Sequence, residues 1–245
     1  MTIFKGVTMN FQFLDILQLC PLFTQIRPED YPHLLSCVNA TEKQYRCDEY
    51  LWLNGDHITS LGIVLSGSLE ISKENAAGQK HILDFVAPGQ IFAEGIICTR
   101  DKISPVSVLS REASRILFLP FDKVIHPCGH SCGFHYRLTQ NMITILGEKN
   151  KMLSRKIELL TLKGMREKLA TYLLYEEIRF QRDSSSKNSH SFTITPNRNE
   201  LADYLNVSRS SMCRELGRMK EEGIIDYYQN TFRILDHNAL KNILT

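Results

Sequence analysis

No stretch of this 245-residue chain approaches the ~18 consecutive apolar residues needed to span a bilayer, and no secretory-type leader opens it. The expectation is a cytoplasmic protein without a membrane partner. Charge of one sign is also missing, since 29 Lys and Arg stand against 27 Asp and Glu for a net +2. That balance neither selects nor excludes nucleic acid, because a regulator needs only one basic face. The small positive excess lies after about residue 154, the direction DNA binding requires. A disulfide framework is absent as well: Cys20, Cys37, Cys47, Cys98, Cys128, Cys132 and Cys213 are odd in number and scattered, as expected of reduced thiols. There is no phosphate-cradling glycine loop, no nucleophile elbow and no His-x-His pair. His57 and His81 stand alone, as hydrogen-bonded or surface histidines usually do. Catalysis is therefore not expected, and no residue is assigned a catalytic or metal-binding role.

What is there concentrates in residues 197–219. Asn197 followed by Glu200 fits a capping box, in which the amide oxygen accepts from the Glu200 backbone and the carboxylate reaches back. The helix it starts has Leu201, Ala202 and Leu205 on one face, and Asn206 suits the left-handed residue that ends it. After a tight turn, Ser208 caps a second helix with Met212, Leu216 and Met219 as its buried stripe. Arg209, Ser210, Ser211, Arg214 and Arg218 face outward. A small residue in the first helix, a short turn and basic residues opening the second describe a DNA-binding helix-turn-helix. Arginine can pair bidentately with guanine O6 and N7, so Arg209 and Arg214 are the candidate base readers, with Asn197, Arg198, Ser208, Ser210, Ser211 and Arg218 completing the DNA-binding set. The competing reading is two ordinary amphipathic helices of an enzyme domain.

Upstream, residues 1–39 hold short helical runs broken by Pro21, Pro28 and Pro32. From Lys43 to Leu119, short β-type runs recur about every ten residues, divided by turns such as Ser66-Gly-Ser and Pro88-Gly, which points to a jelly roll. A long helical pattern follows from about Gly133. Leu138, Met142, Ile145, Lys149, Met152, Lys156 and Leu159 alternate by four and three, a coiled-coil seam with lysines at two a positions; the competing reading is a core helix packed on its own β-domain. A further amphipathic helix begins at Met165, and a strand at residues 191–195 enters the DNA-reading pair. Residues 222–235 close the chain with a hairpin signature, making the helix-turn-helix a winged one.

β-roll, long dimer helix and winged helix-turn-helix, in that order, resemble the CRP/FNR family of bacterial transcription regulators over nearly the whole chain. Gly62-Ile-Val-Leu-Ser-Gly-Ser-Leu-Glu-Ile is similar to the glycine-containing turn of cyclic-nucleotide-binding-type domains. Pro88-Gly-Gln-Ile-Phe-Ala-Glu resembles the start of the family's effector cassette, and Leu201-Ala-Asp-Tyr-Leu-Asn-Val-Ser-Arg-Ser-Ser-Met-Cys-Arg-Glu-Leu its DNA-reading segment. The resemblance implies an α+β chain with a cyclic-nucleotide-binding-like jelly roll over residues 1–132, a dimerisation helix over 133–162 and a winged helix-turn-helix over 163–245. It implies a homodimer on a near-palindromic double-stranded DNA operator, with RNA polymerase as a further partner.

By the same resemblance the effector site comprises Gly89, Phe92, Ala93, Glu94, Arg100 and Ser104. Glu94 stands where nucleotide-binding members hold the ribose. The position of their phosphate-binding arginine falls near Ile103-Ser104-Pro105, with Arg100 the nearest substitute. Without that guanidinium a cyclic phosphate loses its bidentate partner, so a different small effector is expected. Where many members carry glutamate in the reading helix this chain has Ser210, which implies altered base preference there.

Two other readings stay open. His126, Cys128, His130, Cys132 and His135 could hold zinc or act as a redox switch, although their spacing fits no standard zinc pattern and the glycines and proline among them suit a turn. Cys20, Cys37 and Cys47 are too widely spaced to copy the N-terminal cluster-binding cysteines of the FNR branch. In the alternative from another class, the chain is a ligand-binding module whose C-terminal helices dock on a protein partner.

Overall fold

The alternating runs pair into two four-stranded sheets. The computed structural model describes residues 3–4, 7–8, 12–75, 77–126, 133–183 and 191–244. A short hairpin, β1 (Ile3–Phe4) with β2 (Val7–Thr8), is followed by α1 (Gln12–Leu19) and α2 (Tyr31–Cys37). The prolines expected to break this region instead open its turns: Pro21 and Pro28 begin 3-10 turns and Pro32 lies in the first turn of α2, where a missing N–H leaves no helical bond unmade. The strands are β3 (Thr41–Tyr45), β4 (Tyr50–Trp52), β5 (Ser60–Ser66), β6 (Leu69–Glu74), β7 (Lys80–Val86), β8 (Ile91–Phe92), β9 (Ser107–Ser110) and β10 (Ser114–Pro120). They form antiparallel sheets of order β3-β10-β5-β8 and β4-β9-β6-β7. Helix α3 (Glu94–Ile97) lies between β8 and β9, and α4 (Phe121–Ile125) follows β10.

Aromatic packing joins the two sheets. Trp52 stacks on Phe92 at 5.5 Å, and Phe92 meets Phe118 edge-on at 6.4 Å. Burying each such ring contributes roughly 1.5–3 kcal/mol. The close approach requires Gly62, which pairs with Phe92 across β5 and β8. A Cβ built on Gly62 would lie 2.2 Å from the Phe92 ring. Gly67, at φ +82° between β5 and β6, supplies the turn expected there.

Helix α5 (Gly133–Thr161) runs for 29 residues. The chain divides into units 1–149 and 150–245, each with its own apolar core. The seam read from spacing is corrected here. Leu138 and Met142 are buried in the β-roll core with Ile145 packed beside them, and Lys149 is ion-paired to Glu94. Asn141 reinforces that docking by donating to the carbonyls of Leu22 and Thr24 at 2.8 and 2.9 Å. Leu159 is buried in the second core. Lys156 is exposed rather than buried, its ammonium 5.0 Å from the Tyr204 ring centroid. A different face is apolar and open, with Ile143, Leu153 and Ile157 each more than 60% exposed. The two stripes are offset by one residue, about 100° around the helix, so spacing alone could not say which one the β-roll takes.

The second unit contains α6 (Met165–Asp183), β11 (Phe192–Thr193), α7 (Arg198–Leu205), α8 (Arg209–Glu221), β12 (Ile225–Tyr228), β13 (Thr231–Ile234) and α9 (His237–Asn242). Its sheet has order β11-β13-β12, all antiparallel. Leu169, Leu173, Leu201, Leu205, Met212, Leu216 and Phe232 close its core. No helix among the described residues is long and apolar enough to cross a membrane.

Candidate nucleic-acid interface and effector pocket

The local chemistry that starts and stops α7 and α8 is what aims the basic side chains. Asn197 Oδ1 accepts from the backbone of Asn199 and Glu200 at 2.9 and 3.1 Å, and Glu200 Oε2 accepts the Asn197 N–H at 2.8 Å. Asn206 ends α7 in the left-handed region at φ 51°. Ser208 then accepts from the Ser211 N–H at 3.3 Å and opens α8. With Met212, Leu216 and Met219 buried beneath, Arg209, Ser210, Arg214 and Arg218 are exposed and Ser211 is half-buried. Arg214 donates to Ser211 Oγ at 3.2 Å, a contact easily exchanged for another acceptor. Arg209 and Ser210 lie open on the first turn.

Arg166, which local sequence patterns do not mark, anchors the other end of α8. Its guanidinium donates to Glu215 at 2.5 Å and to both oxygens of Glu222 at 2.7 and 2.8 Å. Those acceptors, Glu222 first and then Glu215, raise Arg166 above the usual guanidinium value, while Arg166 holds Glu222 below the usual carboxylate value. Two acidic groups are thereby neutralised beside the basic surface. Glu215 also accepts from Arg218 at 3.4 Å, drawing that side chain toward the helix's own carboxylate. Lys168, also unmarked, is buried and caps α7 by donating to the Leu205 carbonyl at 3.1 Å.

Arg198 faces inward. Its guanidinium lies 5.0 and 4.9 Å from the Tyr227 and Phe232 ring centroids and donates to the Gln229 carbonyl at 2.8 Å, fastening α7 to the hairpin. A role at phosphate would require leaving those partners.

On the β-roll, the residues expected at the effector site are only partly brought together. Phe92, Ala93 and Glu94 line a cavity of about 330 Å³, whose walls also include Ile71, Asp84 and Phe85. Ile145 and Lys149 of α5 complete it. Glu94 is buried, one carboxylate oxygen ion-paired to Lys149 and the other, Oε2, without a donor among the described residues. Ala93 has a positive φ of 70°, local strain of the kind concentrated at binding sites. The other three expected residues lie elsewhere. Gly89 turns at φ +82° against Leu19, Arg100 is exposed off the cavity wall, and Ser104 is fully buried, accepting from the Trp52 indole at 3.0 Å. Lys149 and Asp84 were not anticipated, because neither belongs to the cassette-like segment.

Burial pushes the Cys20 thiol up to about 12, so it stays protonated and is unsuited to bind metal. No group of three or more His, Cys, Asp or Glu among the described residues is placed to hold a metal ion. Cys128, His130 and Cys132 lie outside the described residues.

Residues 167–243 match the description Crp-like helix-turn-helix domain, and residues 42–127 match cyclic nucleotide-binding domain. The chain belongs to the CRP/FNR family. An anaerobic regulatory protein of Pasteurella multocida is 24% identical over 96% of this chain and 82% of its own length. The transcriptional activator protein anr of Pseudomonas aeruginosa is 25% identical over 77% of this chain and 74% of its own. Among solved structures, the catabolite activator protein of Thermus thermophilus covers 91% of this chain and 98% of its own with a TM-score of 0.51 at 21% identity, a likeness of fold. As a CRP/FNR member the chain is a DNA-binding transcription regulator whose β-roll is of the effector-sensing type.

The cavity does not fit a cyclic nucleotide. That ligand brings a phosphate monoanion, whereas the walls set two carboxylates, Asp84 and Glu94, against one ammonium already engaged with Glu94. No arginine among the described residues lines it.

Proposed function

We propose that this CRP/FNR regulator binds a near-palindromic operator as a homodimer, with two copies of α8 in successive major grooves about 34 Å apart. The observation that carries the reading is the serine-capped start of α8, with Arg209 and Arg214 exposed above a fully buried apolar stripe. Arg209 and Arg214 read base edges. Ser208, Ser210, Ser211 and Asn197 contact phosphates or bases from the same end, and backbone contacts supply most of the salt-dependent affinity. Arg198 serves indirectly by holding α7 to the wing, and Arg218 adds positive potential. RNA polymerase is the further partner through which a bound dimer acts on transcription.

The open face of α5 supports the dimer. Ile143, Asn150 and Ile157 fall at a positions and Leu146, Leu153 and Leu160 at d, the Ile-and-Leu pairing that favours two parallel strands. Asn150 is the polar a residue that fixes register at some loss of stability. An effector in the β-roll cavity touches Lys149, the residue beside that asparagine, and so couples two distinct sites.

Selection from a random duplex library tests the proposal. Enrichment of a two-fold symmetric site, with half-sites about ten base pairs apart, is expected. Recovery of unselected sequence, or of a single half-site by a monomer, refutes it.

A further inference from the structure

Glu94 Oε2 is the polar atom in the β-roll cavity that the fold leaves unanswered. It is buried and has no donor among the described residues, while Oε1 is ion-paired to Lys149. Leaving a buried acceptor unpaired costs roughly 1–3 kcal/mol, and more when it is charged, so a ligand that supplies a donor recovers that loss. The charges around it choose the kind of donor. Asp84 and Glu94 outweigh Lys149, the one cation on the wall among the described residues, whose ammonium is already engaged. An anion entering this cavity meets repulsion and, among the described residues, no free cation. A cation meets a carboxylate oxygen with its lone pairs open. The remaining wall, with Ile71, Phe92 and Ile145, rewards an apolar body.

Taking the β-roll as effector-sensing, as the proposed function does, we propose that the cavity binds a small organic amine: an ammonium donating to Glu94 Oε2, carried on an aromatic or aliphatic body that packs against Phe92 and Ile145. An ammonium there competes electrostatically with Lys149 for the same carboxylate. Its arrival therefore loosens the tie between α3 and α5 beside Asn150.

Isothermal titration of the full chain with phenethylamine, phenylacetate and cyclic AMP tests this, the first two being matched in size and opposite in charge. Phenethylamine is expected to saturate one site per chain, with phenylacetate and cyclic AMP at least about tenfold weaker. Glu94→Gln, which keeps the shape and removes the charge, is expected to weaken phenethylamine by about tenfold or more. If Glu94→Gln does not fold, Asp84→Asn at an exposed position is the second variant, expected to weaken the amine in the same direction. The proposal is overturned if phenylacetate or cyclic AMP binds as tightly as the amine, if the folded variant binds it unchanged, or if phenethylamine shows no saturable binding. Duplex selection run in parallel separates the two ideas. A chain that selects an operator but does not prefer the amine keeps the regulator reading and loses this one; the reverse result does the opposite.

Discussion

Replacing Arg214 by alanine separates base reading from simple charge attraction. In the free protein the guanidinium is exposed and holds one neutral hydrogen bond, to Ser211 Oγ at 3.2 Å. Exchanging that bond for two to guanine O6 and N7 forfeits about 1 kcal/mol and gains a bidentate charged pair. The net value of such a contact in discrimination is ~1–3 kcal/mol, so the ratio of selected-duplex to scrambled-duplex affinity should fall about 5- to 150-fold. Stability should change by less than about 0.5 kcal/mol, because no buried atom is removed. Fluorescence anisotropy on both duplexes across a salt series reads the two alternatives apart. If the ratio is unchanged while the salt slope drops by about one, Arg214 contacts phosphate and the base-reading argument fails.

Ile157→Asp should convert the dimer to monomer in sedimentation, whereas Met152→Asp, equally exposed but off the Ile143–Leu160 stripe, should leave it dimeric; the reverse pattern restores the seam that spacing alone suggested. Gly62→Ala places a methyl group 2.2 Å from the Phe92 ring and should destabilise the β-roll by about 1–3 kcal/mol, lowering the melting temperature by several degrees. Lys80 and Arg111, paired with Glu70 at 2.6 and 2.7 Å, hold that buried carboxyl below its ordinary value. Its contribution is present above the unfolded carboxylate value and is lost as pH falls through the lower folded one. Acid unfolding of Glu70→Gln should therefore fall off less steeply below about pH 4 than that of the unaltered chain, and identical acid limbs would refute the assignment.

Sequence reveals most where the determining contacts are short-ranged. The Asn197–Glu200 box, the left-handed Asn206 and the Ser208 cap each depend on partners within four residues, and all three are present as read. Turn chemistry likewise marked the strand boundaries through Gly67 and Gly89. What escaped reading depends on distant partners. Arg166 finds Glu215 and Glu222 some fifty residues on, and nothing near Arg166 advertises them. Lys149 reads as a flaw in a coiled coil until Glu94, 55 residues earlier, is placed beside it. The effector set was extended along the chain toward Arg100 and Ser104, but the backbone leaves the cavity after α3. Its far wall comes instead from β7 and α5. Arg198, expected in the DNA-binding set, holds its guanidinium against two aromatic faces of the hairpin, partners that local sequence does not mark.

Because each unit seals its own apolar interior, the chain lends itself to grafting. Leu138 and Met142 belong wholly to the first core and Leu159 to the second, leaving residues 147–154 as a solvent-exposed splice region. Joining a foreign sensor there in unbroken heptad phase would preserve the proposed Ile-and-Leu seam. Adding three or four residues would locally overwind or unwind that seam, even with every side chain in both cores untouched.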